Sequence, residues 1–436
     1  RGEKMSADKY EVIIIGGGPS GLAAAYKLAQ AGVEVVLVER GDYCGSKNLS
    51  GGVFYTRVLD QLIPGFWEEA PVERYITNYV TTLMDKEDYF NLDYKGQALS
   101  KPPYNAFSVL RAKFDRWLAE KAEDAGVMLV NEIKVEKVLK EGNKVTGIVA
   151  GDEEMLADVV IAADGINSFI AQEAGLRGPI KPEHLAVGAK ALIELPREKI
   201  EDRFRLTGNE GTAYAMLGEA SHGVAGGAFL YTNIDSLSIG VVLRLDDLVK
   251  SGAKPAEVLD DLLEHPMVAP LVKDGKMVEY GAHLTAEGGL HMVPQQLVAD
   301  GFIMVGDAAG FTINSGLVIR GMDLAVGSGI AAAEAIIEAK EKNDFSAASL
   351  NSYKRRLDES FVMKDLKTYA KAPIFMENDR LYKSYSKLAN DIFGKVYNHD
   401  LTPKELLLKT ALKALKENNL SIFDLARDGF KGVRAL

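Results

Sequence analysis

YEVIIIGGGPSGLAAAYKLAQAGVEVVLVER, residues 10–40, decides the fold. Residues 10–15 are an unbroken apolar run, which reads as a strand buried on both faces. Gly16, Gly18 and Gly21 follow in the spacing G-x-G-x-x-G. The Ala- and Leu-rich stretch 22–31 reads as a helix that Gly32 stops. Residues 33–38 (VEVVLV) form a second strand, closed by Glu39. In this strand–helix–strand unit Gly16 permits the tight turn and Gly18 lets the backbone approach a pyrophosphate. Gly21 lets the helix pack on the strand. The amino end of the helix then faces the phosphates. Glu39 is placed to bond a ribose 2′-hydroxyl and to repel a 2′-phosphate. Either NAD or FAD satisfies this fingerprint alone.

Later segments favour FAD. Residues 162–165 (AADG) and 305–310 (VGDAAG) each follow a strand-like run. Asp164-Gly165 and Asp307 are placed where strands end, and Asp307 can bond a polyol such as the ribityl chain. A plain helix N-cap is the alternative for Asp307. Residues 310–316 and a helix beginning near Gly321 bring backbone N–H groups and a positive dipole toward a flavin ring. Between these parts the expected elements are a loop over 42–52, a helix over 112–124, and strands over 127–130, 135–140, 144–150 and 158–163. Strand-like runs recur at 186–195, 211–217, 226–231 and 237–243, with a helix at 255–264. They predict an antiparallel sheet inserted into a split nucleotide-binding domain. A strand over 301–305, a small-residue helix over 322–339 and a helical region from 346 complete the chain.

Composition narrows the function. The chain has 436 residues, 47% of them hydrophobic, and a net charge of −11. That length is about three domain-sized units. An acidic balance argues against nucleic-acid binding, which needs a basic face. Cys44 is the single cysteine. It can form no internal disulfide, and an iron–sulfur cluster needs several thiolates. Residues 1–11 are polar and show no signal-peptide pattern, and no run of 18 apolar residues occurs. The expected location is cytoplasmic, with any membrane contact peripheral.

The quoted segments resemble a flavoprotein family that includes p-hydroxybenzoate hydroxylase-like enzymes and geranylgeranyl reductases. More closely, the chain resembles the electron-transfer-flavoprotein:quinone oxidoreductases of the FixC-type branch. The resemblance lies in GSKNLSGG (45–52), VLRAKFDRWLAEKA (109–122), AADGINS (162–168), GGAFLY (226–231), EHPMVAPLVKDGKMVEYGAHLTAEGGLHMVP (264–294) and GDAAGFTINSGLVIRGMDLAVGSGIAAAEA (306–335). It runs from about Tyr10 to Ala339 and more loosely to the end.

This resemblance implies an α/β fold: a Rossmann-type FAD domain of the glutathione-reductase and p-hydroxybenzoate-hydroxylase kind, over 5–70, 101–184 and 295–345. It implies a quinone or substrate domain over 71–100 and 185–294, and a helical C-terminal region, 346–436, for partner docking. Electrons are expected from a two-subunit electron-transfer flavoprotein with alpha- and beta-like chains. They are expected to leave to menaquinone or ubiquinone at the inner face of the cell membrane. Single-chain family members hold a [4Fe–4S] cluster on four C-terminal cysteines, which this chain lacks. In the FixC-like branch a small ferredoxin-like iron–sulfur subunit takes that place, and some assemblies bifurcate electrons.

Carried over by position, the implied FAD contacts are Gly16, Gly18, Pro19, Ser20, Gly21, Glu39, Arg40, Arg111, Asp164, Gly165, Gly306 and Asp307. Val135 matches the residue that contacts adenine by its backbone. Lys47, Asn48 and Gly316 match positions near the isoalloxazine. Gly226 and Gly227 match paired glycines of a quinone pocket, where a flat ring approaches a backbone without Cβ atoms; a strand bulge is the other reading. His283 and His291 are candidate proton donors to a reduced quinone. Cys44 reads as a packing residue, because a redox thiol needs a resolving partner. Arg111 reads as a flavin contact or a surface charge at a helix start. The basic amphipathic stretch 404–416 suits a membrane surface, a partner or plain solvent. Three other functions stay open: an isoprenoid-saturating reductase, an aromatic hydroxylase, and an assembly subunit that docks electron-transfer partners.

Overall fold

The computed structural model describes residues 8–48, 51–151 and 153–436. Its first sheet runs in the order Val298–Ala299, Phe302–Met304, Glu153–Ala162, Lys9–Ile15, Val35–Val38, Met128–Val130. The pairs from Phe302–Met304 to Met128–Val130 are parallel. Parallel strands take helices on both faces, so their sequences are continuously apolar. Ile13 and Ile14 are accordingly fully buried. The hairpin Val135–Glu141 and Lys144–Ala150 joins the Glu153 strand antiparallel.

The first helix is Pro19–Gln30, beginning three residues before the sequence reading. Proline suits a first helical turn, where its missing N–H would have no partner anyway. This helix packs against Arg111–Asp124 and against Met322–Glu341. The small residues of the latter have a packing reason: a Cβ on Gly329 would collide with the Ser20 carbonyl of the first helix.

The second sheet has nine strands in the order Lys276–Ala286, Leu185–Glu194, Ser236–Arg244, Gly226–Thr232, Glu210–Gly218, Val72–Met84, Ala106–Leu110, Gly51–Tyr55, with Tyr89–Lys95 beside Val72–Met84. It is antiparallel apart from the pair Val72–Met84 and Glu210–Gly218, which is parallel. The loop expected over 42–52 is shorter than the sequence indicated. Residues 49 and 50 lie outside the described residues, and Gly51–Tyr55 is a strand paired with Ala106–Leu110. A Cβ on Gly51 would lie 2.5 Å from the Val109 carbonyl oxygen. The glycine there serves strand contact rather than loop freedom.

Arg74 pins this sheet from inside. Its side chain is fully buried. Nε donates to the Asn233 carbonyl at 2.7 Å, and Nη1 donates to the Gly208 and Glu210 carbonyls at 3.0 and 3.1 Å. Nη2 reaches the Ile234 carbonyl at 3.3 Å and Glu201 at 3.4 Å. Beyond residue 346 the chain is helical. Asp428 of the last helix, Ile422–Ala435, accepts from Asn378, Arg380 and the Tyr385 hydroxyl at 2.6–2.7 Å. That cluster ties the chain's end to the 378–385 segment and holds the Asp428 carboxyl well below its usual range.

Arg74→Met removes the buried donor to the Asn233, Glu210 and Ile234 carbonyls, while Glu201 and the Gly208 carbonyl keep Arg197. The expected loss is about 3–5 kcal/mol, in line with breaking a buried ionic group's partners. Urea unfolding checks it, with Arg74→Lys recovering only part because an ammonium lacks the fork geometry.

Candidate functional site

The glycine turn after the first strand is built for a ligand's backbone-close approach. Gly16 has φ +105°, a conformation that side-chain-bearing residues rarely adopt. A Cβ on it would also strike the Ala163 carbonyl, and one on Gly21 would strike the Gly16 carbonyl. Gly18 differs, since a Cβ there would meet no protein atom within 4 Å. Its missing side chain leaves room for something other than protein. Gly18 is also the N-cap of the first helix and makes no side-chain cap bond. The first amides of that helix therefore remain available to an anion.

Glu39 closes the turn from the next strand. Its carboxylate accepts from the Gly17 N–H at 2.8 Å and the Gly41 N–H at 2.7 Å. Each oxygen keeps a lone pair for a ribose hydroxyl. Beneath it Cys44 is buried against Gly17. Burial, with Glu39 and Asp115 nearby, pushes its thiol far above the usual range. A thiol that stays protonated is a poor nucleophile, so packing is its role.

The opposite wall carries two carboxylates. Asp164 accepts the Ile170 N–H at 3.0 Å through Oδ2, while its Oδ1 is buried without a partner. A buried orphan acceptor calls for a donor from outside the chain. Asp307 stands in the turn Gly306–Ala309, with no protein donor to its carboxylate among the described residues. Burial raises its pKa, and Arg111, His283 and Arg177 oppose that rise. Arg111 lies in this wall, not on a free surface. It is held by Asp115 at 2.8 and 2.7 Å, and Asp115 also takes Asn48 at 3.1 Å.

These groups surround a cavity of about 870 Å³, within the roughly 300–1,000 Å³ common for cofactor sites. Gly16, Gly18, Pro19, Ser20, Glu39 and Arg40 line one end, with Val135 beside them. Lys47, Asn48, Arg111, Asp164, Gly165, Asp307 and His283 line the rest. Gly21 and Gly306 stand behind the wall. A Cβ on Gly306 would lie 2.6 Å from Ser20 Oγ, so its part is close packing. Gly226, Gly227 and Gly316 line a neighbouring cavity of about 100 Å³. The sheet itself already demands glycine at the first two, because a Cβ on Gly226 would strike the Val242 carbonyl and one on Gly227 would lie 2.5 Å from the Met216 carbonyl. His291 is elsewhere, in a side cavity of about 260 Å³, with Nε2 3.0 Å from the Ala370 carbonyl.

The open glycine turn, the uncapped helix end, the Asp164 orphan oxygen and the cavity volume together fit FAD. Sequence reasoning missed three groups at the ring end. Lys190 lines the cavity, and burial and Arg111 bring its pKa down to about 8. It reaches over the Phe229 ring at 5.8 Å. The cross-strand row explains the meeting. Lys190 pairs with Gly240, which pairs with Phe229, and the absent Gly240 side chain leaves space for the ring. Glu287 and Arg320 also line the cavity. Arg320 is held by Asp323 at 2.8 and 2.6 Å and by Asp365 at 2.6 Å.

Two predictions follow from this geometry. Gly18→Val should leave the fold intact and weaken FAD binding about 100-fold or more, some 2.7 kcal/mol, read as flavin retained on gel filtration. Native protein should resist iodoacetamide at neutral pH and react at Cys44 only on unfolding, read by mass spectrometry; rapid labelling of the folded protein contradicts the packing role.

Comparison with known proteins agrees with the geometry. A model described as an FAD binding domain matches residues 9–196, and one described as the ETF-QO/FixC family C-terminal domain matches residues 372–436. The chain is 43% identical to the "Probable electron transfer flavoprotein-quinone oxidoreductase YdiS" of Escherichia coli (strain K12), over 99% of this chain and 100% of that protein. It is 38% identical to "Protein FixC" of Azotobacter vinelandii, again over 99% and 100%. Among solved structures, a geranylgeranyl bacteriochlorophyll reductase-like protein from Thermoplasma acidophilum superposes with a TM-score of 0.71 at 22% identity, over 95% of this chain and 100% of that one. At that identity the likeness speaks for the fold. The full-length identities go further: the chain belongs to the ETF-QO/FixC family and is an FAD-dependent oxidoreductase.

Proposed function

We propose that this chain passes electrons from a two-subunit electron-transfer flavoprotein to a membrane quinone, menaquinone or ubiquinone. Bound FAD supplies the redox chemistry, accepting electrons and releasing them again. The chain's own residues position that group and the acceptor. In this reading Gly18, Pro19 and Ser20 hold the pyrophosphate, Glu39 the ribose, and Val135 the adenine. Asp164 and Asp307 bond the linking polyol and phosphate region, and Lys47, Asn48 and Arg111 flank the ring.

One observation carries the quinone assignment. An aromatic cavity adjoins the cofactor cavity and shares Val53, Phe229, Tyr231, Val242 and Ile319 with it. Tyr55, Tyr79 and Tyr214 complete its aromatic lining, with Gly226 and Gly227 along one strand. Phe229 and Tyr231 stack at 4.8 Å. Burial raises the pKa of Tyr55, Tyr79 and Tyr231, so their phenols stay neutral and able to donate to a carbonyl oxygen. A flat apolar ring with two carbonyl oxygens suits such walls.

The C-terminal helices support docking. Leu406, Leu408, Phe423, Phe430 and Val433 are exposed in or beside Leu407–Glu417 and Ile422–Ala435. Large apolar side chains left exposed on two helices are surface that a partner can cover. No described helix is long and apolar enough to cross a membrane, so the contact we propose with the inner face of the cell membrane is peripheral. Cys44 alone does not hold a cluster, and an iron–sulfur step on this route belongs to a small ferredoxin-like subunit. Bifurcation, where the assembly performs it, belongs to the partner flavoprotein.

The test is to reduce the FAD-loaded protein without oxygen and add soluble ubiquinone and menaquinone analogues. The expected result is prompt return of the oxidised flavin spectrum with one quinol formed per flavin. Failure with both quinones, also with the copurified partners present, defeats the assignment.

A further inference from the structure

Reducing a quinone to its quinol takes two electrons and two protons, and the aromatic cavity described above adjoins a more polar side cavity, sharing Gly226, Val242, Asn314 and Met376 with it. Glu287 stands where that side cavity also meets the cofactor cavity. Of the described residues, only Glu287 and Val242 line both the cofactor cavity and the side cavity of about 260 Å³. Valine carries no proton. The side cavity is lined by His184, His291, Glu183, Glu377, Arg244 and Tyr382. The two histidine rings face each other at 6.5 Å. At about 30 Å³ of liquid volume per water, the space admits a short water chain.

The environment of Glu287 suits a group that takes up and releases a proton. Its backbone is fixed, since its N–H donates to the His184 carbonyl at 2.8 Å. Asn314 Nδ2 donates to Oε2 at 2.6 Å. The amide cannot flip, because Asn314 Oδ1 accepts the Gly316 N–H at 2.8 Å. One carboxylate oxygen is thus fixed as an acceptor, and Oε1 remains free to carry a proton. No described cation pairs with Glu287. Arg244, the nearest in the side cavity, is engaged by Asp246 at 2.7 Å. Lys190, His283, Arg111 and Asp307 face the cofactor cavity it borders, and His184, His291, Glu183, Glu377 and Tyr382 face it from the other side. Burial pushes its pKa up to about 7, with Asn314 and Arg244 pulling the other way.

We infer that Glu287 is the proton relay between the histidine-lined side cavity and the redox cavity. The inference rests on the quinone reading above. Bound FAD in its singly protonated reduced form would supply two electrons and one proton. The second proton comes from solvent through the side cavity, passes to Glu287 Oε1, and leaves past Asn314, which lines the aromatic cavity, for a quinone oxygen. Glu287 is then reprotonated from the His184 and His291 side, so charge and atoms balance. Below about pH 7 the carboxyl is protonated and can donate; above it the ionised group cannot.

The experiment compares the FAD-loaded wild type with Glu287→Gln and Glu287→Asp. Prereduced protein is mixed with a soluble quinone and, separately, with ferricenium, which takes one electron and no proton. The wild-type quinone rate should fall as pH rises through about 7, while the ferricenium rate stays flat. Glu287→Gln should slow quinone reduction about 100-fold, flatten its pH profile and spare ferricenium; Glu287→Asp should restore much of the rate. Infrared titration of FAD-free protein supplies a readout independent of turnover, a protonated-carboxyl band lost near pH 7 and missing in Glu287→Gln. A Gln variant with the wild-type rate and profile overturns the relay, as does equal slowing with ferricenium. Wild type that reduces ferricenium but no quinone defeats the acceptor reading instead. In that case a Glu287 carboxyl already ionised well below neutral pH overturns the relay too.

Discussion

The first helix lies so close to its neighbours that three positions admit no side chain, and the rest of the site depends on that approach. Gly21 sits against the Gly16 carbonyl, Gly329 against the Ser20 carbonyl, and Gly306 against the Ser20 hydroxyl. With these contacts made, the amino end of the helix Pro19–Gln30 is held at the mouth of the parallel sheet. Its uncapped end, at Gly18, Pro19 and Ser20, then lines the cavity. A single methyl at Gly21 or Gly329 would push the helix away and move the anion-binding end with it. The cofactor's position is therefore set by packing that never touches the cofactor.

From that fixed end the cavity runs toward the second sheet, and its character changes along the way. Near the glycine turn it offers backbone donors and the Glu39 carboxylate. In the middle it offers Asp164 and Asp307, raised in pKa by burial and tempered by Arg111 and Arg177. At the far end it meets the Lys190–Phe229 pair, His283 and the aromatic cavity. Arg111 and Lys190 both bring positive charge to this region, and a positive neighbour favours an electron-rich ring. The gradient from polar cradle to apolar acceptor site is what an electron-transferring flavoprotein needs.

The local parts of this arrangement were legible in the sequence, because each is encoded within a few residues. The glycine spacing at 16–21, Glu39 at a strand end, and the Asp164 and Asp307 turns needed no knowledge of the fold. Strand boundaries in the second sheet were also close, the helix Pro255–Glu264 matching in full. What escaped depends on pairing between distant segments. Gly51 looks like loop glycine until it pairs with Leu110 and the Val109 carbonyl comes close to it. Lys190 acquires meaning only through Gly240 and Phe229 on two other strands. Glu287 is one acid among many until Asn314 and the two cavities surround it. The amphipathic pattern at 404–416 was visible, but the exposure of its apolar residues, and of those in Ile422–Ala435, follows from what the rest of the chain leaves uncovered.

The most direct measurement is the crystal structure of the FAD-loaded protein soaked with a short-chain quinone. The account predicts the pyrophosphate on the Gly18 and Ser20 amides and the flavin ring between Asn48 and Gly321. It places the quinone in the aromatic cavity beside Gly226, within contact of the ring edge. Density for the ring turned away from that cavity, or a quinone seated out of reach of it, would contradict the account.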